Sequence, residues 1–161
     1  MKIEKVAVIG AGTMGAGIAQ VCAQSGWNTI LYDAFPEGLE KGMQRIDAFW
    51  DKGIARGKTT VQQKQEWSEN LHAEPNLENA VKGCDLIIEA VPEILELKQK
   101  IFQEVEQYAS ERAIFATNTS SLSIGKIASA IDHPERLIGM HFFNPVPIMK
   151  LLELVKHDQC S

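Results

Sequence analysis

The chain has 161 residues, 45% hydrophobic and 23% charged, with a formal net charge of −5. That is the composition of one ordinary globular domain, long enough to bury a real core. The acidic balance and the lack of a basic run interleaved with aromatics argue against a nucleic-acid surface. The longest apolar runs are strand-sized, well short of the roughly twenty residues a membrane helix needs.

Residues 2–9 read as a buried strand that runs directly into Gly10-Ala11-Gly12-Thr13-Met14-Gly15. A helix from residue 14 to 25 follows, with Ile18, Val21 and Cys22 on one face and Gly26 placed to end it. Thr29-Ile30-Leu31-Tyr32 is a second strand, closing on Asp33, and Pro36 suits the first turn of a second helix carrying Leu39, Met43, Ile46 and Phe49. Residues 51–70 are polar and helical in part, with Thr59 as a cap, before a short strand at Leu71-His72-Ala73 and a brief helix from Asn76. Residues 85–91 form a central strand, after which Pro92 and Glu93 open a helix whose apolar stripe is Leu97, Ile101, Val105 and Tyr108. Strands at 113–118, 137–141 and 150–155, with a helix over 123–130, complete the set.

Strands alternating with helices predict right-handed crossovers and a Rossmann-type, doubly wound α/β domain over residues 1–161, its mostly parallel sheet covered by helices on both faces. Ligands of such sheets bind beyond the carboxyl ends of the strands. Asp33, Glu93, residues 118–121 and residues 141–144 all fall at that edge.

A bare G-x-G-x-x-G is weak evidence. Here it lies between a strand and a helix in a unit of about thirty residues, with an acid about twenty residues on, which is the dinucleotide-binding fingerprint. Gly10 allows the tight turn, Gly12 lets backbone approach a pyrophosphate, and Gly15 lets helix pack on sheet. The loop Gly10, Ala11, Gly12, Thr13, Met14, Gly15 then presents helix N–H groups to the phosphates. Asp33 can accept from both adenine-ribose hydroxyls and repels a 2′-phosphate, while Ala34-Phe35-Pro36 offers no cation to hold one, so the expected cofactor is NAD rather than NADP.

Cys22, Cys84 and Cys160 are odd in number with no C-x-x-C, as in a reduced, cytoplasmic protein, and no metal or redox role is expected of them. No signal or transit peptide is read ahead of the first strand.

Three segments carry a wider likeness: residues 10–19, Asn118-Thr119-Ser120-Ser121-Leu122-Ser123-Ile124, and Gly139-Met140-His141-Phe142-Phe143-Asn144-Pro145-Val146-Pro147-Ile148-Met149-Lys150. Together they closely resemble the L-3-hydroxyacyl-CoA dehydrogenases, the bacterial 3-hydroxybutyryl-CoA dehydrogenases among them. The resemblance implies NAD-linked interconversion of an (S)-3-hydroxyacyl-CoA and a 3-ketoacyl-CoA, with His141 as general base backed by a buried Glu153. It also implies that Ser120 bonds the substrate oxygen, that Asn118 and Asn144 lie at the cofactor, and that Glu93 and Lys98 touch its nicotinamide side. Lys52 and Arg56 fall where the family holds the phosphates of coenzyme A, although Asp51, Ile54 and Ala55 stand where relatives often crowd lysines.

Read from the residues alone, several of these positions stay open. Glu153 suits an exposed strand position, Lys98 a solvated helix face, and Lys52 with Arg56 an ordinary charged surface. The architecture also serves non-catalytic, crystallin-like proteins and sugar-acid dehydrogenases. Family members continue into a helical domain that forms the homodimer and closes over the acyl chain. The chain therefore reads as the cofactor domain alone, with weak turnover and an exposed apolar face expected of it.

Overall fold

Alternation along the first strand sets the architecture. In the computed structural model, which describes residues 1–160, β1 (Lys5–Ile9) sends Val6 and Val8 into one buried cluster and Ala7 and Ile9 into another. A strand buried on both faces must be covered by helices on both. Helices α1 (Thr13–Gln24) and α2 (Pro36–Ala55) cover the first face through Ile18, Cys22, Leu39 and Ile46. The second face is packed by α4 (Leu77–Val81), α5 (Leu95–Tyr108) and α6 (Ile124–Ala128) through Val81, Phe102, Val105 and Ile127.

The remaining strands are β2 (Asn28–Tyr32), β3 (Leu71–Ala73), β4 (Leu86–Glu89), β5 (Ile114–Thr117), β6 (Leu137–Phe142) and β7 (Leu152–Val155). Among the described residues they form one sheet in the order β3-β2-β1-β4-β5-β6-β7, all parallel except β7, which runs antiparallel to β6. This is the expected doubly wound α/β fold. Chain order reverses between β1 and β4, which opens a crevice at their carboxyl ends. Ser161, the last residue of the expected domain, lies outside the described residues.

Several expected boundaries move for identifiable reasons. Gly26, with φ +87, ends α1 as foreseen: its N–H bonds the Ala23 carbonyl and that of Trp27 bonds Cys22. The second helix runs on to Ala55 because Trp50, only 3% exposed, extends its buried face and donates through Nε1 to Gln24 at 2.9 Å. Phe49, assigned to that face, is 39% exposed instead. The cap of α3 (Val61–Glu69) is Thr60, not Thr59, because Thr60 and Gln63 satisfy each other's backbone N–H groups. Lys64 then clasps α3 to α2 through Asp47 and Asp51.

The fourth strand is followed by a tight turn, Ile94 N–H to Pro92 carbonyl, so α5 starts at Leu95 and leaves Pro92 and Glu93 outside. Of the expected stripe, Val105 is buried and Ile101 packs against the same core, but the rest of the buried face is Lys98 and Phe102. Leu97 and Ile101 also line a cleft, and Tyr108 is 40% exposed. Strand β7 is exposed throughout, and Ile148, Met149, Leu151, Leu152, Leu154 and Val155 are exposed apolar residues on it and just before it. No helix among the described residues is long and apolar enough to cross a membrane.

Candidate functional site

The glycine loop separates packing from binding. Gly10 has φ +106, and a Cβ on it would lie 2.6 Å from the Ala90 carbonyl oxygen, so no other residue fits. Gly15 is equally constrained, since a Cβ there would run into the Gly10 carbonyl. Gly12 differs. Its φ of −70 suits any residue, and nothing lies within 4 Å of where its Cβ would be. Neither backbone nor packing requires glycine at that position. The first turn of α1 just beyond has neither a capping side chain nor an acid, so its N–H groups suit an anion.

A cleft of about 630 Å³ runs from this loop past Asp33 and Phe35 to Leu97 and Ile101. Asp33 builds its wall as well as lining it: Oδ2 accepts from the Ala11 N–H and Oδ1 from the Phe35 N–H, both at 2.9 Å. Each oxygen keeps a second lone pair free to accept. A second hollow of about 330 Å³ shares Met14, Ala90 and Val91 with the first, so the two form one groove. This hollow gathers Glu93, Lys98, Asn118, Ser120, His141 and Asn144, which come from three separate stretches of chain.

Beneath it lies a charge network that the sequence did not reveal. Alternation puts Glu89, at the end of β4, on the Ile87 face under α5, where it is fully buried. Lys98 is 1% exposed, so it is no solvated surface lysine: its Nζ lies 2.7 Å from Glu89 and 3.3 Å from Glu93. Glu89 also accepts from the Thr117 hydroxyl at 2.6 Å and the Val91 N–H at 2.8 Å. Glu93 accepts from the Thr119 hydroxyl at 2.7 Å and from the Ser120 N–H and hydroxyl at 3.0 and 3.2 Å. Burial alone would push the Glu93 carboxyl up. The bonds from Thr119 and Ser120, with the Lys98 charge, outweigh that and hold it down at about 2. The available clue to Glu89 was an acid ending an apolar strand, the same signal that marked Asp33.

His141 stands on β6 directly opposite Glu153 on β7, with Nδ1 3.6 Å from Oε2. That is ion-pair range, just beyond a hydrogen bond. The Glu153 side chain is 55% exposed, not buried as expected, because β7 is the sheet's edge and nothing covers it. Asn118 holds the rim in place by accepting the Phe142 N–H at 3.0 Å. Lys52 and Arg56 are exposed at the far end of α2, about 24 and 30 Å along the helix from Pro36 at 1.5 Å per residue. Neither lines the groove. Cys22 and Cys84 are buried, and burial pushes their thiols up to about 12 and about 11.

Position decides the class. A groove at the strand-order reversal, floored by a glycine loop and an uncapped helix start, belongs to a Rossmann-type dinucleotide-binding domain. Sequence comparison narrows this further. The chain belongs to the family described as 3-hydroxyacyl-CoA dehydrogenase, NAD binding domain, whose profile matches residues 5–161, and its cofactor is NAD. It is 41% identical over 155 residues to 3-hydroxyadipyl-CoA dehydrogenase of Escherichia coli K12, covering 96% of this chain and 32% of that protein. It is 42% identical over 154 residues to 3-hydroxybutyryl-CoA dehydrogenase of Bradyrhizobium diazoefficiens, covering 96% of this chain and 52% of that one. The crystal structure of (S)-3-hydroxybutyryl-CoA dehydrogenase from Ralstonia eutropha superposes with a TM-score of 0.95 at 39% identity, over 99% of this chain and 56% of that chain. The chain thus spans about half the length of such relatives, and less of the first.

Proposed function

We propose that this chain supplies the cofactor site and the acid–base pair for NAD-dependent interconversion of (S)-3-hydroxyacyl-CoA and 3-ketoacyl-CoA. One observation carries the reading: His141 faces Glu153 across paired strands, at the rim of the hollow that holds Ser120 and Asn144 and opens into the dinucleotide cleft. NAD, when bound, accepts the hydride leaving the substrate's C3. With Nδ1 turned to Glu153, Nε2 of His141 is the base that takes the 3-hydroxyl proton, and Glu153 stabilises the imidazolium that results. Ser120, fixed by Glu93, orients the substrate oxygen, while Asn118 and Asn144 border the cofactor.

Lys52 and Arg56 remain the proposed partners of the coenzyme A phosphates, as exposed cations one helical turn apart. The exposed apolar residues on and before β7 support a further domain that packs on this edge and completes the acyl pocket.

Oxidation of NADH driven by acetoacetyl-CoA tests the proposal. His141→Ala should lower turnover about a hundredfold or more, with NADH affinity nearly unchanged. Equal rates for the two proteins would overturn it, and turnover of gulonate but not CoA thioesters would move the reading to a sugar-acid dehydrogenase.

A further inference from the structure

The buried cluster behind the hollow holds two carboxylates, Glu89 and Glu93, against one ammonium, Lys98. Lys98 is nearer to Glu89, at 2.7 Å against 3.3 Å, and Glu89 has no exposure to water that would screen it. Glu93, by contrast, is 36% exposed and lines the hollow. A lysine facing Glu93 alone would neutralise it. With Glu89 as its shorter partner, Lys98 leaves one negative charge unbalanced, on the carboxylate that faces the groove. The hollow is where the nicotinamide must lie if His141 is to work, so this inference rests on the function proposed above. The oxidised ring is cationic and the reduced ring neutral, so a fixed negative charge distinguishes the two.

We infer that the Glu89–Lys98–Glu93 cluster shifts the site's relative affinity toward the oxidised cofactor, Glu89 acting as a positioning residue that keeps Lys98 from cancelling Glu93. Glu89→Gln suits the test because its amide oxygen can still accept from Val91 and Lys98 while its NH₂ donates to Thr117. The geometry is kept and one negative charge is lost.

Calorimetric titration of the chain with NAD⁺ and with NADH at low salt gives the two dissociation constants. In Glu89→Gln the ratio of the NAD⁺ constant to the NADH constant should rise about tenfold, the scale of a unit charge several ångströms away in a partly buried site. A purely structural role would weaken both forms equally, and an unchanged ratio in folded protein overturns the inference. Glu93→Gln, at a partly exposed position, carries the same test should the buried variant not fold: its ratio must rise too, and constancy there is equally fatal. Failure of the unmodified chain to bind either form would instead overturn the NAD reading, and the inference with it.

Discussion

Replacing Gly12 by alanine separates the two uses of the glycine loop, because the structure assigns opposite consequences to one methyl group. With φ −70 and no atom within 4 Å of the new Cβ, the folded backbone accepts alanine unstrained. Loss of unfolded-state freedom should stabilise by about 0.4–1 kcal/mol. Gly12 is also the N-cap of α1, where alanine is a poorer cap by a similar amount. The terms offset to within about 0.5 kcal/mol, a shift in Tm below about 2 °C for a chain of this size. In the cleft the same methyl holds a pyrophosphate away from the first N–H groups of α1. Losing one charge-assisted hydrogen bond costs about 1.5–3 kcal/mol, or roughly 10- to 100-fold in NADH affinity. Thermal unfolding and NADH fluorescence titration read the two effects. Gly15→Ala is the contrasting control, since its Cβ runs into the Gly10 carbonyl and should lower Tm. If Gly12→Ala binds NADH as tightly as the unmodified chain, the pyrophosphate does not lie against Gly12 as proposed.

Two further outcomes follow from the buried network. Lys98→Met leaves the fully buried Glu89 without its cation and should cost about 3–5 kcal/mol in urea unfolding, and a midpoint equal to the unmodified chain would contradict the pairing. The Glu93 carboxyl is held down at about 2 from an ordinary 4.5, so its contribution to stability is complete above pH 4.5 and lost as pH falls toward 2. The Tm difference between the chain and Glu93→Gln should therefore be constant near neutrality and shrink through that acid window. A difference that grows on acidification would reverse the sign of the argument.

The sequence by itself determined the strands, the glycine loop and the acid at Asp33, because these depend on local rules. Alternation reports which faces a strand buries, and a turn that tolerates no Cβ must be written as glycine. The same local signals, joined to the motif around His141, were enough to indicate the family. Where competing signals met, local reading slipped: the cap at Thr60 rather than Thr59, and the stripe of α5, which divides its apolar residues between the core and the cleft. Only the tertiary structure decided the charges. Whether Lys98 is a solvated lysine or the centre of a buried cluster depends on Glu89 from β4 and on Glu93 from the turn after it. Likewise, the meeting of His141 with Glu153 is fixed by the pairing of two strands, and the exposure of that carboxylate by the open edge it occupies. Burial of a charged group is a property of everything packed around it, and most of those neighbours lie far away along the chain.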